Sequence, residues 1–308
     1  MTMTMSTDAH RTADLRRVLL VLIFLVSAQV GAHPQPPASQ TPVFFEQVLE
    51  KRLSTGGEFD LEKFCPVSTD IIAMRVLRSY GSMFVASDAI KLPDTCVSNG
   101  DGETRKFQQK VEKKTVEING VQMQFQAAAG AALQSSIDQA AALGMSITPL
   151  DGAIAGSRTY GDTLMLWNSR VFPALEFWIR RGRLSPDARD EIGRLDLRKK
   201  IEKILEWESH GIYFSTDRTR TILTSTAPPG TSQHLYLVAF DVTEFWNAQV
   251  RTVLNRNGWY QTVIDDPAHF TYLGFAEADL PSRGLIAVAK GGHRYWTPNM
   301  QPHPVSTN

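Results

Sequence analysis

The sequence predicts an α+β fold in which helices pack around a small antiparallel sheet, and two observations carry that expectation. Apolar residues at helical spacing dominate residues 163–181 and 195–207, whereas short β-branched and aromatic runs follow at 234–242, 259–263 and 269–273. Helices first and strands later, without the alternation that builds a parallel sheet, define this class. The bulk composition agrees: 308 residues with 43% hydrophobic and 21% charged content are enough for one large or two small folded domains.

The chain opens with Arg11, Arg16 and Arg17 ahead of an apolar run over residues 18–26, then Ser27-Ala28-Gln29-Val30-Gly31-Ala32. The run is shorter than the roughly 20 residues that span a bilayer, and small residues follow it, so residues 1–32 read as a secretory signal peptide cut after Ala32. Left uncut, the segment would be an anchor, the one case in which a membrane is a partner. Both readings put the folded part outside the cytoplasm. Residues 33–42 carry Pro34, Pro36, Pro37 and Pro42, which remove backbone donors and favour an extended tether. Cys65 and Cys96 are the only cysteines. In an oxidising compartment such a pair reads as one structural disulfide, and two are too few for a cysteine-based zinc site.

Residues 43–116 are expected to form an N-terminal subdomain or lid. Its helical patterns run through Phe44, Phe45, Val48 and Leu49, then Ile71, Ile72, Met74, Val76 and Leu77, and the charged, glycine-bearing stretch 97–116 is expected as an exposed connection. The main domain is expected over 117–285, with a C-terminal tail over 286–308. Within it, residues 121–143 are rich in Ala, Gln and Leu and predict a helix stopped by Gly144. Ile147 and Thr148 predict a short strand. The helix over 163–181 is expected to bend or restart at Pro173. Residues 248–255 predict a further helix closed by Asn257-Gly258.

Several function classes lose support at once. Lys+Arg and Asp+Glu number 32 each, so the net charge is zero and no footprint for nucleic acid exists. No P-loop, GxGxxG, GxSxG or HExxH occurs. Glu206 and His210 are four apart on a helix, a spacing more typical of a solvated face than of a metal pair.

The segment that carries chemistry is Ser232-Gln233-His234-Leu235-Tyr236-Leu237-Val238-Ala239-Phe240-Asp241, with an imidazole and a carboxylate seven positions apart. A catalytic zinc takes three protein ligands and leaves a position open. His234 and Asp241 supply two, and His269, at the head of a strand in Asp265-Asp266-Pro267-Ala268-His269-Phe270-Thr271-Tyr272, is the candidate third. Two imidazoles and a carboxylate suit zinc, and manganese, cobalt or iron would accept the same set.

In order and spacing, Ser-x-His-x6-Asp followed by acid-Pro-x-His-Phe-x-Tyr resembles the zinc D-alanyl-D-alanine carboxypeptidases and dipeptidases of the VanY type, within the LAS peptidase fold. The likeness covers residues 121–274. It implies a metallopeptidase-like domain with zinc on His234, Asp241 and His269, Asp266 as general base, and a peptidoglycan stem peptide as substrate. The family's Ser-Gly-Tyr-Arg-Ser segment is matched by Gly156-Ser157-Arg158-Thr159-Tyr160, which nominates Arg158 for substrate contact and oxyanion stabilisation; Ser232 is expected to orient a ligand or the substrate. This chain has Leu237 where the family has Gly, Ala268 in place of Trp, and Asp266 in place of Glu. The implied activity is a D,D- or L,D-carboxypeptidase, with a peptidoglycan endopeptidase or a non-catalytic, zinc-stabilised module that binds wall peptide or a partner as the alternatives.

Overall fold

In a computed structural model of the protein, residues 42–54 and 60–301 are described. The expected signal peptide, and all of the tether but Pro42, lie outside them.

Three short helices open this part of the chain: α1 (Phe45–Leu53), α2 (Leu61–Phe64) and α3 (Ile71–Tyr80). Asp60 and Asp70 cap the second and third by accepting first-turn backbone N–H groups, which are otherwise unsatisfied at a helix start. The expected disulfide is present, with Cys65 and Cys96 Cα atoms 5.2 Å apart and both side chains buried. It fits an oxidising, exported compartment, and among the described residues no helix is long and apolar enough to cross a membrane. Replacing both cysteines with alanine is expected to lower the unfolding free energy by about 3–4 kcal/mol, the chain-entropy value for a crosslink of this span. Denaturant unfolding of the two forms measures it, read with their m-values because the crosslink also compacts the unfolded chain.

Residues 97–116 are not a bare connection. They hold α4 (Asp101–Lys110), whose single buried residue is Thr104, and enter β1 (Lys113–Ile118). β1 pairs antiparallel with β2 (Val121–Gln126) across Asn119-Gly120, where φ is 51° and 81°. Positive φ at both central residues is the two-residue hairpin turn that Asn-Gly favours. The helix expected from residue 121 therefore starts later, as α5 (Ala127–Ala142). Met123 and Phe125 point into the core while Gln122 and Gln124 stay exposed, so a period of two overrides the helix-forming composition. The expected boundary between 116 and 117 falls inside β1.

α6 (Tyr160–Arg180) runs through Pro173 as one helix rather than restarting. A capping box fixes its start: the Thr159 hydroxyl takes the Asp162 N–H while the Asp162 carboxylate takes the Thr159 N–H. Thr163, Trp167, Val171, Ala174 and Leu175 bury one stripe on both sides of the proline, and that packing offsets the lost hydrogen bond. α7 (Ala188–Arg194) and α8 (Leu197–Ser209) complete this helical layer. It packs with α3 into an apolar cluster around Trp167, Ile204, Leu205 and Phe214.

The sheet beneath the site has three antiparallel strands in the order β3-β5-β4: β3 (Ala239–Asp241), β4 (Trp259–Gln261) and β5 (His269–Tyr272), with α9 (Ala248–Arg256) between β3 and β4. It shares a second apolar cluster with α1, the β1–β2 hairpin and α5, centred on Phe125, Phe240, Trp259 and Phe270. Two expectations are corrected here. Residues 147–148 form no strand: the Thr148 carbonyl accepts from the Thr243 N–H and Pro149 makes an isolated bridge to Val242. Of the strand expected over 234–242, the stretch before Ala239 is a 3₁₀ turn. Of the residues expected as a tail, 286–298 belong to a hairpin of β6 (Leu285–Lys290) and β7 (His293–Pro298), turned at Gly291-Gly292. Just beyond it, the Asn299 carbonyl accepts from the Phe45 N–H at 2.9 Å, so the C-terminal hairpin closes on α1. The fold is α+β, as the sequence predicts.

Candidate metal centre

Strand register supplies two of the three groups. Asp241 on β3 and His269 on β5 are directly opposed across the ladder, a relation that holds two Cβ atoms about 4.5–5.5 Å apart. The third group arrives by a turn: Gln233–Tyr236 is a 3₁₀ helix, and Leu237 follows in the left-handed region at φ 59°. The resembled family has Gly at this position, the residue that adopts positive φ without steric cost. Here a buried leucine adopts that positive φ.

The three ligand atoms then converge. His234 Nε2 stands 3.2 Å from His269 Nδ1 and 3.3 Å from Asp241 Oδ1, and His269 Nδ1 is 3.1 Å from that same oxygen. A tetrahedral ion about 2.0–2.1 Å from each ligand atom holds those atoms about 3.3 Å apart, so this triangle has the size of one face of a metal site.

Proton placement supports the same reading. The remaining nitrogen of His234, Nδ1, lies 2.7 Å from the Gly156 carbonyl oxygen; a carbonyl only accepts, so Nδ1 carries the proton and Nε2 is bare in the neutral ring. His269 Nε2 is 2.7 Å from Gln233 Oε1. The Gln233 amide is oriented by its own N–H, donated to the Tyr80 carbonyl at 2.7 Å, and its oxygen also accepts from the Thr271 hydroxyl. His269 thus donates from Nε2 and turns a bare Nδ1 inward. Two bare nitrogens and a carboxylate oxygen at such separations repel one another unless a cation stands among them. His234, Asp241 and His269 can therefore hold a metal ion.

Electrostatics keep the ligands in the binding-competent state. Burial pushes His234 down to about 4, with Arg158 adding to the shift and Asp241 opposing it, so the ring is neutral at pH 7. Burial alone would raise the Asp241 carboxyl, but His234 and the Arg158 guanidinium outweigh it and hold the group well below the usual carboxylate range.

Arg158, Ser232, His234, Asp241, Asp266 and His269 all line one cavity of roughly 190 Å³. Its further lining includes Tyr80, Asp151, Leu166 and Arg170. Arg158 donates from Nε to the Ile154 carbonyl at 2.7 Å and from a terminal nitrogen to Asp241 Oδ2, so one arm of the guanidinium holds the Asp241 carboxylate while the other is anchored on the backbone. The Asp266 carboxyl makes no hydrogen bond or ion pair with another described residue. Burial raises it to about 6, against the pull of His269 and with the push of Asp241. Its neighbour Asp265 turns away into ion pairs with Lys290 at 2.6 Å and Arg220 at 3.7 Å. Ser232 is buried in the wall, but the two imidazoles are oriented by Gly156 and Gln233.

Gly156 and Gln233 are the residues that motif spacing passes over. A Cβ at Gly156 would come within 2.8 Å of Met123 and Phe125, so only glycine lets this carbonyl reach His234 from beside β2. Gln233 adjoins His234 in sequence, yet its task depends on β5, which sequence spacing does not encode. Q233L is expected to weaken metal binding about 10- to 100-fold, the usual cost of losing the partner that orients a metal-bound histidine. Chelator competition measures the change. Compared with known proteins, the chain matches no family model, no curated protein and no solved structure.

Proposed function

We propose that the protein is an exported zinc metallopeptidase that trims peptidoglycan stem peptides, as a D,D- or L,D-carboxypeptidase. The observation that carries this reading is the triangle of His234 Nε2, His269 Nδ1 and Asp241 Oδ1 opening onto a cavity that also holds the otherwise unpartnered Asp266. Two imidazoles and one carboxylate fit a zinc site that keeps a position open for chemistry. When bound, zinc supplies Lewis acidity, polarising a scissile carbonyl and making water nucleophilic near neutral pH.

The protein's own groups do the rest. Asp266 takes a proton from the attacking water and returns it to the leaving amine; a carboxyl with a pKa of about 6 can serve as base and acid at neutral pH. Arg158 acts through Asp241, fixing the carboxylate's orientation and keeping it ionised. The apolar side chains of Ile154, Leu166 and Ala268 in the wall lower the local dielectric and strengthen these interactions. A cavity of roughly 190 Å³ is below the range of about 300–1,000 Å³ usual for drug-sized ligands, which favours removal of a small terminal residue over cleavage within a crosslinked stem.

The test pairs elemental analysis of the purified mature chain and of the H234A/H269A double variant with D-alanine release from a wall pentapeptide. Near-stoichiometric zinc that the variant loses, together with D-alanine release, supports the carboxypeptidase. Zinc without release moves the assignment to an endopeptidase or a binding module. Absence of any metal overturns the proposal.

A further inference from the structure

A carboxypeptidase must recognise the free carboxylate at the end of its substrate, and the expected recognition residue is committed elsewhere. Arg158 commits Nε to the Ile154 carbonyl and one terminal nitrogen to Asp241. The remaining guanidinium in the cavity wall is Arg170, which the family motif does not contain.

Its position follows from α6. Leu166 and Arg170 are one turn apart and both line the cavity, while Trp167, Val171 and Ala174 turn into the helical core. The surroundings are unusual for a half-buried arginine. Among the described residues it forms no ion pair within 4 Å, and its one hydrogen bond through a side-chain atom runs from a terminal nitrogen to the Ser169 hydroxyl at 2.8 Å. Its Nε is buried without a partner. It stands near enough to Asp266 to act on that group's charge, yet the two do not pair. A guanidinium that lines the same cavity as His234, Asp241 and His269 and has no ion pair of its own lacks an acceptor with two oxygens.

We infer that Arg170 binds the terminal carboxylate of the substrate, which makes the preferred substrate a peptide with a free C-terminus and a small last residue. The inference rests on the peptidase reading for its substrate class. Its physical basis is the planar guanidinium, whose terminal nitrogens can donate in parallel to the two oxygens of a carboxylate. Leu166 and Ala227 line the cavity of roughly 190 Å³ as well, and its size favours a small terminal side chain. Arg158 is then a positioning residue and Arg170 a substrate-binding one, a division of labour that the spacing of the motif does not reveal.

The test compares binding of N-acetyl-D-alanyl-D-alanine and of its C-terminal amide, which differ only in the carboxylate. Calorimetric titrations use the full mature chain carrying D266N to slow turnover, with and without R170Q or R170K, and metal content is measured in parallel. The D266N protein should prefer the acid by roughly 10- to 100-fold, the worth of a hydrogen-bonded charge pair. R170Q should bring that ratio close to one at unchanged metal content, and R170K should recover part of it, because lysine restores charge without the fork. Equal binding of acid and amide before Arg170 is changed, no binding of either, or a preference that persists in R170Q overturns the assignment. Should the wild-type chain neither carry metal nor release D-alanine, yet show an Arg170-dependent preference for the acid, the peptidase reading falls and the carboxylate site stands.

Discussion

Saturating zinc is expected to stabilise the folded protein by about 4 kcal/mol at a free concentration a thousand times the dissociation constant, because the ion binds the native triangle and not the unfolded chain. H269A should abolish this gain. It removes one of the three groups of the triangle and leaves Gln233 Oε1 without the His269 N–H. The measurement is denaturant unfolding of both proteins, each with excess chelator and with zinc. Equal stabilisation of the two by zinc would locate binding away from His269. The pH dependence carries a further signature. Metal binding needs His234 unprotonated, and burial depresses that group from the ordinary histidine value to about 4. Protonation of His234 therefore does not compete with zinc between pH 6.5 and 4, and starts to compete only as pH falls through the lower value. A site built from solvent-exposed histidines would begin to lose zinc near pH 6.5.

The elements that could be read from sequence were those whose local pattern and tertiary role agree. α6, α8 and α9 each pair a cap with an apolar stripe, and the strands at 259–261 and 269–272 are β-branched and aromatic runs ended by turn residues. Local and tertiary signals conflict elsewhere. The Ala- and Gln-rich run after residue 121 favours helix by composition, but pairing with β1 claims its first six residues, and Asn119-Gly120 was the signal that marked the turn. Gly291-Gly292 marked the last hairpin in the same way. For the site, the order His, Asp, His named three residues that the fold does bring together, two facing each other across a ladder and the third set by a tight turn. The assignment of the two arginines was beyond reach. Whether Arg158 meets substrate or Asp241, and whether Arg170 faces core or cavity, depends on how α6 and the 3₁₀ turn approach the sheet, and no spacing within one segment records that.

D266N should separate function from stability in opposite directions. Without its proton acceptor, hydrolysis is expected to fall about 10²- to 10⁴-fold, the usual worth of a general base, while metal content holds because Asp266 is not in the ligand triangle. The metal-free variant should nevertheless be more stable than the parent at pH 7. The Asp266 carboxyl is raised from 3.8 to about 6 in the folded protein, so between those values the native state holds a proton that the unfolded chain releases. Each pH unit across that window favours unfolding by about 1.4 kcal/mol, and the ionised group costs the fold about 3 kcal/mol once pH exceeds 6. Asparagine carries no charge to desolvate, so the advantage of D266N should be near that value at pH 7 and vanish towards pH 4, as unfolding curves of both metal-free proteins across this range would record. If D266N is no more stable at pH 7 but still inactive, the carboxylate is better solvated than its surroundings imply, and its fitness as an acid at neutral pH goes with it. If the variant is both more stable and fully active, Asp266 is a buried charge without a catalytic task and the proton must travel by another group in the cavity.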